Sequence, residues 1–343
     1  ADRLSRATEY IIRRRNFMGP VLRKIAFKTR PIAMPVCKSR RALLATLCAL
    51  CVIAACLSLM LGPVSLNADR LVAAWQGQDE TARTIITELR LPRTLIGLIV
   101  GAILGASGAA LQGYLRNPLA EPSVLGTSNA AALGAVAALY FGMSAWHPAL
   151  LPAMAIGSAI LSLALLLYLG GKGESALSLI LAGIAVGTLA GAAISLSLNL
   201  SDNPFAAMEI MTWLMGSLEN RSFDHFFIAL PCVMLGLVLI LWDGRALDAL
   251  TLGEDGAKSL GVNLMWTKYR LLAAVAIGVG GAVAVSGAIG FVGLIVPHLL
   301  RPFTHRKPSG ILLPSAIGGA ALLTFADVAV RIIPTNNELK LGV

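Results

Sequence analysis

Residues 122–171 run for 50 positions without one Asp, Glu, Lys or Arg. As part of a soluble protein such a run would leave more apolar surface than water tolerates. No other feature constrains the fold as strongly. A membrane accommodates it: about 20 apolar residues make one helical span, so this run predicts two, broken near His147-Pro148. Other charge-free runs predict a first span over 42–67, a second over 94–115, a fifth over 175–201 and a sixth over 226–242, and an apolar run interrupted by Asp327 predicts a ninth over 311–330. Residues 271–300 are short for two spans but are read as the seventh and eighth. Lys268 and Arg270 are expected to snorkel at one end of that pair and Arg301 at the other. The chain is 57% hydrophobic with mean hydropathy +0.77. Ala, Leu and Gly dominate without strand alternation, so the spans are helices rather than a barrel. The fold class is an all-α polytopic membrane protein.

Charge divides the chain into a tail, 1–41, and a membrane domain, 42–343. The tail carries 12 basic and 2 acidic side chains, which is the whole formal net charge of +10. Beside a membrane such a tail sets topology and touches anionic lipid, so it is placed in the cytoplasm and no nucleic-acid partner is expected. Residues 116–121, 172–174, 248–262 and 301–307 then also face the cytoplasm. Outside the tail the bias is weak, nine basic residues inside against seven outside. No secretory signal peptide is evident. Nine spans would leave the C-terminus outside, and the sequence stops at Leu341-Gly342-Val343 without a polar tail. Both ends are expected to be cut, with a tenth span missing beyond Val343.

One polar insert, within 246–262, interrupts this pattern. Thr251-x-x-Glu254 has the spacing of a capping box, Glu254 and Lys258 lie four apart, and Gly261 stands where a helix ends left-handed. These signals predict a short helix showing Leu252, Gly256 and Leu260 on one face. A helix held rigidly at the membrane surface suggests a docking site for a soluble partner.

The remaining motifs have mainly structural readings. Gly97-x-x-x-Gly101-x-x-x-Gly105 and Gly183-x-x-x-Gly187-x-x-x-Gly191 let helix backbones approach closely, and the second set can also line a pathway. Cys48-x-x-Cys51 lies in an apolar helix without an acidic or His partner and reads as buried thiols. His298 reads as an interfacial group. Asp327 and Arg331 read as an i,i+4 pair, with a proton or ion site as the sharper alternative. There is no P-loop, no His-Glu-x-x-His and no Gly-x-Ser-x-Gly, so no catalytic residue, cofactor or metal is assigned and the chain is not read as an enzyme.

Arg90-Leu-Pro-Arg-Thr-Leu, Gln112, Asn117-Pro-Leu-Ala-Glu-Pro, Leu181-Ala-Gly-Ile-Ala, Met211-Thr-Trp-Leu-Met-Gly-Ser, Leu252-Gly-Glu and Gly287-Ala-Ile-Gly-Phe-Val-Gly-Leu-Ile-Val-Pro-His together resemble the FecCD-type permeases. These are membrane subunits of type II ABC importers for ferric siderophores, haem and vitamin B12. The resemblance runs from about residue 42 to the end. It implies a ten-span fold in a homodimer, two cytoplasmic ATPase subunits, a periplasmic substrate-binding protein and a bacterial inner-membrane location. It further implies ATPase coupling through Leu252, Gly253, Glu254, Asp255, Gly256, Ala257, Lys258, Ser259, Leu260 and Gly261. Arg90, Arg93 and Arg331 are implied as outer-surface docking residues, Asn117 and Leu119 as a cytoplasmic gate, and 203–218 as a helix at the outer mouth. Lys340 stands where the family usually has Pro. The cargo implied is a ferric siderophore or haem, with cobalamin as the alternative. The alternative of another class is an ion-coupled secondary transporter, which would be expected to show several intramembrane carboxylates.

Overall fold

The computed structural model describes residues 40–62, 64, 68–171, 176–304, 307–333 and 338–342. Of the basic tail only Arg40 and Arg41 fall among them, and the loop at 172–174 lies outside them. All regular structure in the described residues is helical. Helix α1 is Arg40–Met60, α2 is Ala68–Trp75 and α3 is Glu80–Tyr114. Then come α4 (Thr127–Tyr140), α5 (Met143–Trp146), α6 (Leu150–Gly170), α7 (Ala176–Asn199) and α8 (Pro204–Leu214). The rest are α9 (Phe223–Trp242), α10 (Gly244–Leu250), α11 (Glu254–Ser259), α12 (Leu264–Ser286), α13 (Val292–Leu300) and α14 (Pro308–Ile332).

Among the described residues seven helices are long and apolar enough to cross a membrane: α1, α3, α6, α7, α9, α12 and α14. They form two groups. The most apolar windows of α3, α12 and α14 are 78%, 78% and 72% buried, whereas α1, α6, α7 and α9 lie between 22% and 33%. Three central helices are therefore ringed by four whose outer faces remain apolar and open, as lipid contact requires.

Glycine explains why the centre is so close. A Cβ on Gly101 would stand 2.3 Å from the Gly319 carbonyl oxygen, and one on Gly105 would stand 2.1 Å from that of Ser315. The small-residue row of α3 thus lets its backbone touch that of α14, which is the main means of helix association where lipid offers no hydrophobic drive.

Three sequence expectations need correction. The eighth span is only α13, nine residues long, or about 14 Å at 1.5 Å per residue, half a bilayer core. Residues 287–291 ahead of it are irregular. Gly287 is left-handed at φ +69, and a Cβ there would meet the Trp213 carbonyl oxygen at 2.4 Å. Non-helical backbone survives in a membrane where protein covers it, as at Gly287 and Ile289, or where it lines a water-filled cavity; Gly290 and Phe291 are exposed. Secondly, Lys268 is only 5% exposed and does not snorkel, while the partly exposed Arg270 ties its guanidinium to the buried Asp243. Thirdly, on α1 Cys48 is exposed and Cys51 only half-buried rather than both being buried. The break expected at His147-Pro148 is present, His147 being extended as a residue before proline favours, but of the two spans expected around it only α6 is among the seven, α4 having 14 residues.

Candidate functional site

The polar insert forms one end of the molecule, and its construction differs from the capping-box expectation. Thr251 ends α10, its hydroxyl donating to the Asp248 carbonyl oxygen at 2.7 Å. Gly253, at φ +92, starts α11 without a side-chain cap, so the helix has six residues. Its C-terminus closes as the sequence suggests. Gly261 is left-handed at φ +82, its N–H donates to Lys258 O at 2.9 Å, and Val262 N–H donates to Ala257 O at 3.0 Å. This is a Schellman closure.

Each side of the insert is tied to a central helix. The Asp248 carboxylate accepts from Ser309 N at 2.8 Å and from Ser309 Oγ at 2.6 Å, capping the N-terminus of α14. Glu254 lies 3.6 Å from Arg116, just beyond α3. Ala257 is buried as the footing of α11. Leu252 and Leu260 are 69% and 64% exposed and flank Gly256. A rigid, polar helix thus presents two apolar side chains to solvent. Asp255, Lys258 and Ser259 surround them on the open face.

Beside it, Asn117 and Leu119 occupy the turn after α3. Leu119 N–H donates to Asn117 Oδ1 at 2.9 Å and the Leu119 side chain is 69% exposed. Arg116, at φ +50, turns the chain there. Gln112 is 3% exposed and accepts from Arg301 at 2.7 Å, joining α3 to the end of α13. Of the second glycine row, Gly183 and Gly187 pack on the turn at 124–126, a Cβ on Gly183 meeting the Val124 carbonyl oxygen at 2.3 Å. Gly191 has open space around it, so the row packs within this chain at two positions rather than three.

At the opposite end Arg90, Arg93 and Arg331 are not the exposed groups the resemblance implies. They are 5%, 9% and 8% exposed. Arg93 holds Asp327 through Nη2 at 2.7 Å and Nε at 3.1 Å, and also pairs with Glu338. Arg331 reaches the other Asp327 oxygen at 2.8 Å, which is the i,i+4 pair expected from the sequence. Two cations and two carboxylates therefore form a neutral buried quartet. The spare donors cap α1: Arg331 donates to Ser58 O and Leu61 O, and Arg90 to Leu59 O, Met60 O and Val64 O. Pro92 deprives Glu88 of its helical partner, and one π turn over Ile85–Arg90 widens the helix just before these arginines.

The same end carries a strap. Leu341 and Gly342 N–H donate to Gly216 O and Met215 O at 2.9 Å each, and Lys340 pairs with Glu219 at 2.5 Å. Helix α8 leads into this strapped turn, with Phe205 and Met208 85% and 67% exposed. Nearby, burial pushes the Arg221 guanidinium below its ordinary value.

Among the polar pairs missed from the sequence, Asp243–Arg270, Asp248–Ser309 and Gln112–Arg301 lie at the α11 end. The available signal was the presence of Asp243, Arg270 and Gln112 at the ends of apolar runs, where an unpartnered polar group is costly. Among the described residues no group of three His, Cys, Asp or Glu could hold a metal.

The architecture has known counterparts. A solved ABC transporter in an inward-facing conformation superposes with TM-score 0.80 at 31% identity, covering 89% of this chain and 94% of that one. The vitamin B12 import system permease protein BtuC of Vibrio cholerae is 40% identical over 79% of this chain and 81% of its own length. The hemin transport system permease protein HmuU of Yersinia pestis is 37% identical over 88% of this chain and 91% of its own. The model of the FecCD transport family matches residues 50–343. With that coverage, and with its bundle of apolar helices, the chain is a multi-pass membrane permease that belongs to the FecCD transport family of ABC importers.

Proposed function

We propose that this permease moves a ferric siderophore or haem inward across a bacterial inner membrane, as a homodimer driven by two copies of a cytoplasmic ATPase. The observation that carries the coupling role is α11, a short helix braced by Arg116 and Asp248 with Leu252 and Leu260 exposed. Such a surface suits insertion into a groove on a soluble subunit. Leu252 through Gly261 form the coupling element, and Asn117 with Leu119 the gate beside it. The basic tail puts this end in the cytoplasm. Gly183, Gly187 and Gly191 then lie on a helix whose open face can border the pathway.

A periplasmic substrate-binding protein docks at the opposite end. Because Arg90, Arg93 and Arg331 are engaged internally, they act there by fixing the shape of the surface rather than as free charges. The relative named for hemin supports an iron-bearing cargo, and the relative named for vitamin B12 gives cobalamin as the second reading.

The test is to introduce Leu252→Asp and Leu260→Asp together and purify the permease with its ATPase. The ATPase should be lost from the complex while the permease stays monodisperse. Retention of ATPase with normal transport would remove α11 as the coupling element. Transport into vesicles on an ion gradient without any ATPase would overturn the importer reading itself.

A further inference from the structure

We propose that the α11 end carries a binding site for the phosphate of an anionic phospholipid, beside the exposed Leu252 and Leu260 of the coupling element and sharing Arg116 with it. A cavity of about 560 Å³ lies between the ends of α3, α13 and α14, within the range of about 300–1,000 Å³ usual for small-molecule sites. Its walls include Arg116, Arg301, Lys307 and His298. None of its lining residues is a carboxylate. Two acids of the adjoining insert are already engaged, Glu254 with Arg116 at 3.6 Å and Asp248 with both donors of Ser309.

The contrast with the opposite end is informative. There a cavity of about 290 Å³ lined by Arg90, Arg93, Arg221 and Arg331 has the carboxylates Glu219 and Glu338 in its own wall, with Asp327 buried behind Arg93 and Arg331. Around the larger cavity, no ion pair among the described residues matches Arg301 or Lys307. Arg301 is nonetheless positioned. Its Nη2 donates to Gln112 Oε1 at 2.7 Å, and Gln112 is itself almost fully buried. A guanidinium held by a neutral acceptor keeps its full charge and its other donors for an anion.

The occupant follows from place and chemistry. The cavity sits where three apolar helices end, which is headgroup depth in a bilayer. Ala109 and Ile311 give it an apolar wall toward the membrane interior. A phospholipid combines a phosphate with apolar matter in that order. Basic pockets between spans on the cytoplasmic side take such headgroups. A nucleotide would want a glycine-rich phosphate loop, which the sequence lacks. The leaflet assigned rests on the orientation proposed above. The binding itself does not, so loss of lipid binding and loss of ATPase coupling are separate failures.

The permease is purified with its ATPase subunits in detergent and titrated with phosphatidylglycerol, phosphatidylcholine or inorganic phosphate, bound ligand being read by native mass spectrometry. Phosphatidylglycerol should bind in preference to phosphatidylcholine, and inorganic phosphate should not displace it. Lys307→Gln, at an exposed position that does not threaten folding, should weaken phosphatidylglycerol roughly fivefold, and Arg301→Gln with Lys307→Gln roughly thirtyfold. Lys307→Arg should retain binding, and Arg245→Gln, an exposed cation outside the cavity, should leave it unchanged. Wild-type lipid binding by the Lys307→Gln and double variants would overturn the proposal. So would an equal loss in Arg245→Gln, which would mark general surface charge. Inorganic phosphate binding as tightly as the lipid would overturn the lipid assignment in favour of free phosphate.

Discussion

Replacing Asp327 by Asn tests the buried quartet directly. Asp327 is 1% exposed and accepts from Arg93 at 2.7 and 3.1 Å and pairs with Arg331 at 2.8 Å. Asn keeps the size but removes the charge, and its NH₂ group turns a donor toward guanidinium donors. The neutral quartet becomes a buried net cation. Breaking a buried pair in this way typically costs about 3–5 kcal/mol. Glu338 still faces Arg93, and Ser58 and Leu61 still face Arg331, so the lower figure applies. About 3 kcal/mol is roughly a hundredfold in the folded-to-unfolded ratio. The assay is unfolding of the purified protein by SDS in mixed micelles, followed through tryptophan fluorescence. A second variant isolates charge from shape. Asp327→Asn with Arg331→Met removes one charge of each sign and leaves Arg93–Glu338 as a neutral pair. Its loss should fall short of the sum of the two single losses by about 1 kcal/mol or more. A single-variant loss below about 0.5 kcal/mol, or strict additivity, would refute the view that charge balance holds this end together.

Three further outcomes are expected. Gly105→Val places side-chain atoms where even a Cβ would stand 2.1 Å from the Ser315 carbonyl oxygen, so α3 and α14 must part. The loss should reach at least the upper end of the roughly 1–3 kcal/mol typical of overpacking, read in the same SDS titration. Glu254→Lys should impair transport-coupled ATP hydrolysis with little change in stability, because its pair with Arg116 is long and partly exposed. Arg116→Glu added to it should recover coupling, as measured by cargo-stimulated ATPase rate. Arg70 donates to Asp79 at 2.8 Å and, with the Ala82 N–H, holds that carboxyl below its ordinary value. A depressed carboxyl stabilises the folded corner above the unfolded pKa, and the contribution is lost as pH falls through the lower folded value. Hydrogen exchange at the Ala82 amide should therefore show protection lost in acid, and Asp79→Asn should abolish that pH dependence.

Much of the fold was legible in the sequence because spans are local. The bilayer demands an apolar run of set length, so α1, α6, α7 and α9 could be placed from charge-free stretches alone. The Gly97–Gly101–Gly105 row announced close packing, and Gly261 announced the end of α11, since both depend on residues within a few turns. What the sequence could not decide was which distant group each of these would meet. Gly101 needs Gly319, and Arg93 needs Asp327 and Glu338, more than two hundred residues away. The resemblance implied arginines at the outer surface, and local spacing connected only Arg331 to Asp327; the structure buries Arg93 against Asp327 and Glu338, which no local spacing connects to it. Likewise the length of a charge-free run could not distinguish a full eighth span from α13, because the irregular backbone ahead of it depends on the end of α8 and its turn, which pack on Gly287 and Ala288. Apolar composition is a property of a segment and commits it to the membrane. The cancellation of charge and the satisfaction of backbone inside that membrane are properties of contacts, and only the tertiary structure brings those contacts together.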